Sequence, residues 1–175
     1  GEIYNYIELK AKLENLGHVF STNSDAEVVL HLFEEKGEDC ILDLVGMFSF
    51  SIWNKNKREL FIARDRYGVK PLYYSTKDSI FSFASEIKAL LKLTPNNKEL
   101  DAESINRYLS FLWCPGDGTP LKSIKKLLPG EAIIVKNGCI VDKWLWYKLP
   151  ILNNFKKNLN KEQSISGVTK YLKQA

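Results

Sequence analysis

Gly46-Met47-Phe48-Ser49-Phe50-Ser51-Ile52-Trp53 is the stretch on which the fold class turns. Phe48, Phe50 and Ile52 alternate with Ser49, Ser51 and Trp53, the period of two that sends successive side chains to opposite faces of a strand. Asn54 to Arg58 is a polar turn and Leu60 to Ala63 a second strand, so the two read as an antiparallel hairpin. Phe48, Phe50 and Trp53 are expected to be sheet core.

Two more strand pairs lie downstream. Pro71 to Tyr74 and Ser79 to Ala84 flank Lys77-Asp78; Glu131 to Val135 and Cys139 to Trp146 flank Asn137-Gly138, a strong hairpin signal. Upstream the period changes. Leu9, Leu13 and Leu16 share one face of a helix over Tyr6 to Leu16, stopped by Gly17. Ser24-Asp25-Ala26-Glu27 has the form of a capping box, Ser24 capping and Glu27 reaching back. The helix it opens turns Val28, Val29, Leu32 and Phe33 inward and ends near Gly37, with a short helix over Cys40 to Val45 after it. Further helices are expected at Ser85 to Leu93 and Asp101 to Leu112, and a Gly/Pro loop at Pro115 to Pro120. Helices before and between antiparallel strand pairs argue for an α+β layered fold over a doubly wound parallel sheet.

Composition narrows the function. At 175 residues and 45% apolar content, the chain has enough material for one buried core and the start of another unit. Its net charge of +4 comes from the end: after Asn153 there are Lys156, Lys157, Lys161, Lys170 and Lys173 against Glu162. A basic excess on a Lys/Asn-rich linker, and not on one face of a domain, argues against nucleic-acid binding. No apolar run approaches the ~18 residues of a membrane span, and no signal pattern opens the chain, so the expectation is a cytoplasmic protein. Cys40, Cys114 and Cys139 are scattered, without a CxxC pair, and are expected to be reduced and largely buried. His18 and His31 are not spaced as ligands, so no metal site is expected. Arg64-Asp65-Arg66 is expected to tie a strand end to the loop shaped by Gly68 and Pro71.

Seven segments in order carry a resemblance: GEIYNY (1–6), SDAEV (24–28), GMFSFSIW (46–53), ARDRYGVKPLYY (63–74), FASEIKAL (83–90), PGDGT (115–119) and LPGE (128–131). Together they resemble the glutaminase domain of glutamine-hydrolysing asparagine synthetases, which are class II, N-terminal nucleophile glutamine amidotransferases. The resemblance covers about residues 1 to 147. It implies the four-layer αββα sandwich of the N-terminal nucleophile hydrolases, with the first strands of that sandwich lying outside the chain. Residues 148 to 175 are then a linker and the first helix of a synthetase domain.

The resemblance also implies a chemistry. Glutamine is hydrolysed to glutamate and ammonia by an N-terminal cysteine whose own α-amino group is the base. The ammonia passes to a synthetase domain, in cis or in trans, where ATP with Mg²⁺ activates aspartate. Gly1 matches the glycine whose N–H forms half of the oxyanion hole. Glu2 matches the residue at the backbone end of the substrate, and Asp25 the acid that pairs with its α-ammonium. By local sequence alone, Asp25 is equally a first-turn acid suited to the helix dipole, and Glu2 a surface acid. The family's terminal cysteine, the arginine for the glutamine carboxylate, the oxyanion-hole asparagine and the Ser-Gly-Gly-x-Asp-Ser pyrophosphate loop have no counterpart in the 175 residues. Two expectations follow: part of an asparagine synthetase, inactive alone and dimeric in its whole form, or a non-catalytic amidotransferase-like structural or regulatory module.

Overall fold

The computed structural model describes residues 1–93, 98–150 and 160–174. In chain order the elements are β1 (Glu2–Ile3), α1 (Tyr6–Asn15), α2 (Asp25–Lys36), α3 (Cys40–Asp43), β2 (Gly46–Met47), β3 (Ser49–Asn54) and β4 (Glu59–Arg64). Then come β5 (Tyr73–Ser75), β6 (Ser82–Ala84), α4 (Ile87–Leu93), α5 (Ala102–Phe111), β7 (Lys125–Lys126), β8 (Glu131–Lys136), β9 (Cys139–Leu145) and α6 (Lys161–Gln174). One sheet runs β3-β4-β8-β9, a second runs β6-β5-β7, and β1 pairs with β2. Each pairing is antiparallel.

The period of two makes two interiors from the larger sheet. Ala63 sits opposite Ala132 and Ile62 opposite Ile133 across β4 and β8. Phe61, Ala63 and Ala132 point to the helices, where they join Leu9 and Leu13 of α1 and Val28, Val29 and Leu32 of α2. Ile62, Ile133 and Val135 point the other way, onto Leu72 and Tyr74 of the second sheet. The far face of that sheet presents Tyr73 and Ala84 to a third cluster around Leu90 of α4, Leu121 and Ile124. Helix, sheet, sheet, helix is therefore written in side-chain alternation, and the αββα sandwich expected from the sequence is present. Trp144 and Trp146 extend the first interior by stacking on Phe61 and Phe48.

Turn chemistry closes the main hairpin as expected: Asn137 and Gly138 both adopt positive φ, 51° and 77°, the pairing that matches the twist of two-residue hairpins. Several boundaries differ from the expectation. Leu16 follows the end of α1 and is exposed, because the helix stops at Asn15 and Gly17 turns the chain away. The β5/β6 pair is only three residues on each strand, with a 3₁₀ turn over Lys77–Ser79 taking up the rest. Ile165, Val168 and Leu172 do lie on a helix, α6, but face solvent. The center of the expected linker, residues 151–159, lies outside the described residues.

Candidate functional site

The site starts with two glycines that let backbone meet backbone. A Cβ on Gly46 would lie 2.1 Å from the Glu2 carbonyl oxygen, and one on Gly1 would lie 2.9 Å from the Met47 carbonyl oxygen. Glycine is thus what allows β1 to lie on β2. Ile3 is buried, Tyr4 N donates to Val45 O, and Asn5 brackets the same turn: its Nδ2 donates to Asp43 O and its Oδ1 accepts from Val45 N. The first and third quoted motifs of the chain are therefore locked together in space, although forty residues separate Asn5 from Val45.

The start of α2 supplies the third wall. Ser24 Oγ accepts from Ala26 N at 3.2 Å, as a cap should. Glu27 does not complete the reciprocal box. Its carboxylate accepts instead from Ser21 N and Thr22 N, both at 2.7 Å, and from the Thr22 hydroxyl. Thr22 takes the vacated role, its Oγ1 accepting from Ser24 N. These bonds, the Thr22 hydroxyl first and the Ser21 N–H next, pull the Glu27 carboxyl down from 4.5 to about 2. Asp25, at the first helical position, accepts from Ile3 N through Oδ2 at 2.9 Å. One carboxylate oxygen thereby ties α2 to β1, and the other retains its hydrogen-bonding capacity.

Gly1, Glu2 and Asp25 all line one cavity of about 450 Å³, within the range of small-molecule sites. Phe48, Phe50 and Trp53 form an apolar wall on the side of β3. This corrects the expectation for Trp53: it is 54% exposed, because it lies near the end of β3, an edge strand of its sheet. A carboxylate pair at one end of an aromatic-walled cleft can hold a small zwitterion by its ammonium and leave the rest of the molecule on apolar surface.

None of the three cysteines lines this cavity. Cys40 is fully buried, and burial, followed by the negative charges of Glu38 and Asp43, pushes its thiol up to about 12, the opposite of what a nucleophile needs. Cys114 is half-buried and Cys139 exposed, so the expectation of largely buried thiols holds for Cys40 alone.

Arg64, Asp65 and Arg66 build the scaffold beside the site, as expected. Asp65 is completely buried; Oδ1 accepts from Tyr67 N and Val69 N, and Oδ2 from Lys70 N, at 3.0–3.1 Å. Arg64 donates to the carbonyls of Gly68, Lys70 and Leu127. Gly130 N donates to Asp65 O, so the LPGE turn docks on this loop. Arg66 donates to the Leu42 and Leu44 carbonyls and stands over the Trp146 ring.

The structure also brings together a pair that spacing in the sequence hides. His18 Nδ1 and His31 Nδ1 are 3.0 Å apart. Thirteen residues apart and not spaced as ligands in the sequence, they meet because His18 follows α1, His31 lies on α2, and the two helices pack on each other.

Comparison with known proteins agrees with this architecture. The model of the glutamine amidotransferase domain family matches residues 1–146. The chain is 44% identical over 136 residues to asparagine synthetase [glutamine-hydrolyzing] 1 of Bacillus subtilis (strain 168), covering 78% of this chain and 21% of that protein. It is 37% identical over 180 residues to a putative asparagine synthetase [glutamine-hydrolyzing] 1 of Methanocaldococcus jannaschii, covering 100% of this chain and 28% of that protein. It thus spans only about a fifth to a quarter of the length of such relatives. Among solved structures, glutamine phosphoribosylpyrophosphate amidotransferase from B. subtilis, complexed with ADP and GMP, superposes with a TM-score of 0.60 at 22% identity. It covers 83% of this chain and 27% of that one, and the likeness is one of fold. Among the described residues no helix is long and apolar enough to cross a membrane.

Proposed function

Because the chain belongs to the glutamine amidotransferase domain family, we propose that its cavity binds L-glutamine and that the chain is the glutaminase part of a glutamine-hydrolysing asparagine synthetase. One observation carries this reading: Gly1, Glu2 and Asp25, from segments more than twenty residues apart, face one cavity. In this assignment Asp25 holds the α-ammonium of glutamine by charge-assisted hydrogen bonds while staying anchored to Ile3 N. Glu2 sits at the same end of the substrate, and Gly1 lies where a backbone N–H stabilises the oxyanion. The apolar wall of Phe48 and Phe50 excludes water from the side chain of the substrate.

The reaction itself needs a thiolate that attacks the side-chain carbonyl, expels ammonia and leaves a thioester for water to hydrolyse to glutamate. In the family this thiol is an N-terminal cysteine, and Cys40, Cys114 and Cys139 do not supply it. What the residues here contribute is binding and orientation. Residues 1 to 147 form the amidotransferase part, and 148 to 175 lead toward a synthetase domain. ATP and Mg²⁺ belong to that domain, since the pyrophosphate loop has no counterpart in these 175 residues. A cytoplasmic, dimeric ligase is the setting in which this division of labour makes sense.

The test is Asp25→Asn in the whole synthetase. Loss of charge-assisted bonds worth about 1.5–3 kcal/mol weakens glutamine-dependent synthesis by roughly one to two decades in affinity. Ammonia-dependent synthesis bypasses the cavity and stays nearly unchanged. Equal loss of both activities would make Asp25 structural, and unchanged glutamine kinetics would remove it from the site. The second reading, a non-catalytic module, is favoured by the thiols standing away from the cavity. Glutamine that binds the whole protein without being turned over would select it.

A further inference from the structure

Away from the glutamine cavity, three side-chain atoms converge between α1 and α2. His18 Nδ1 and His31 Nδ1 are 3.0 Å apart, and Glu34 Oε2 lies 2.8 Å from His31 Nδ1 and 3.7 Å from His18 Nδ1. A zinc ion bound at roughly 2.0–2.2 Å by nitrogen and oxygen donors sets those donors about 3.3 Å apart on a tetrahedron. The three observed separations bracket that value.

Hydrogen bonding alone accounts poorly for this meeting. A neutral imidazole carries one N–H. A proton on His31 Nδ1 can point at Glu34 or at His18 but not squarely at both, and a proton on His18 Nδ1 leaves the His31 lone pair facing the Glu34 carboxylate. A cation at the center satisfies all three lone pairs at once.

The outer nitrogens complete the pattern. His18 Nε2 is 2.9 Å from Glu35 Oε1, and His31 Nε2 faces Glu27 Oε1 at 3.8 Å. Glu27 is itself held by Ser21 and Thr22. A carboxylate hydrogen-bonded to the far nitrogen, as Glu35 is to His18, is the arrangement that fixes tautomer and ring orientation in metal sites, and Glu27 places a second carboxylate near the far nitrogen of His31. Phe20 packs edge-on against the His31 ring. The imidazoles are mostly buried, at 13% and 16% side-chain exposure, while Glu34 is 54% exposed, which leaves an entrance and a place for water.

We propose that His18, His31 and Glu34 bind a divalent transition-metal ion, with Zn²⁺ the best match, and that this ion clips the segment after α1 to α2. Two imidazoles and one carboxylate suit Zn²⁺ and its neighbours and disfavour Mg²⁺ and Ca²⁺, which take oxygen donors. The clipped segment leads to Ser24 and Asp25, so the ion stiffens the approach to the glutamine cavity without touching it. Binding to the folded state also raises stability by mass action.

The experiment uses the 175-residue chain stripped with a chelator and titrated with Zn²⁺ against a metal indicator of micromolar affinity. One equivalent is expected to bind in competition with the indicator and to raise Tm. Co²⁺ in its place should give visible d–d bands without a sulfur-to-cobalt charge-transfer band. His18→Gln and His31→Gln should each abolish the tight equivalent. Glu35→Gln, which leaves all three donors in place, should weaken it about 10–100-fold. Absence of binding by the unaltered chain overturns the proposal without recourse to any variant. So do a charge-transfer band, which would assign the ion to a cysteine, and tight binding that survives both histidine substitutions.

Discussion

Asp65 and Asp25 both accept backbone N–H groups, and the two carboxylates end in opposite conditions. Asp65 is fully buried and closes both oxygens on Tyr67, Val69 and Lys70. Asp25, half-buried at the edge of a cavity, gives one oxygen to Ile3 N. The first carboxylate is saturated by its own loop. The second is held firmly enough to be aimed and still has an oxygen to offer. Unspent hydrogen-bonding capacity beside a cavity, and not burial or charge alone, is what separates a ligand-binding acid from a scaffold acid here.

The largest expected effect breaks the saturated side. Asp65→Ala empties a fully buried acceptor site and leaves three part-buried backbone donors without their partner, and should cost on the order of 3–4 kcal/mol, read as a lower urea midpoint at unchanged m. A loss near 1 kcal/mol would mean that the Arg64 contacts hold the loop unaided. Next is the partner strand of Asp25. Gly46→Ala drives a Cβ into the Glu2 carbonyl oxygen, a backbone clash expected to cost about 1–3 kcal/mol. It should speed hydrogen exchange at Ile3 N, and protection retained there would show that β1 does not depend on Gly46. Asp25→Asn comes third, with a stability cost of about 1 kcal/mol for one bond to a partly exposed acceptor. A loss as large as that of Asp65→Ala would erase the distinction between the two acids.

The smallest effect tests a third carboxylate, Glu27, whose folded pKa is lowered from 4.5 to about 2. A depressed carboxyl contributes stability that is present above its ordinary pKa and is lost as pH falls through the folded value. The contribution of Glu27 should therefore fade between about pH 4.5 and 2. Comparing Glu27→Gln with the unaltered chain should show the two stability curves converging on the acid side, and parallel curves would contradict the assignment.

Much of the fold was legible because it rests on period and turn chemistry. Alternation in 48–53 and 60–63 gave the hairpin, and Asn137-Gly138 gave its downstream counterpart. The cavity was legible only through the family resemblance, since Glu2 and Asp25 by themselves read as a surface acid and a first-turn acid. What local pattern could not show depends on contacts between segments. Glu27 fits a capping box by spacing, yet two backbone donors at Ser21 and Thr22 outcompete the single one at Ser24. Trp53 fits the strand alternation, yet its strand is an edge strand of its sheet. His18 and His31 meet only once two helices have packed.

The half-exposed indole of Trp53 gives the cavity an optical reporter of its own. Trp144 and Trp146 are partly buried and stacked on phenylalanines, and Trp113 stands exposed elsewhere, so of the four tryptophans only Trp53 lines the cavity. A molecule entering there displaces water from one fluorophore and leaves the other three as an internal reference. Occupancy can thus be followed by emission colour and quencher access, with no label attached and no turnover required.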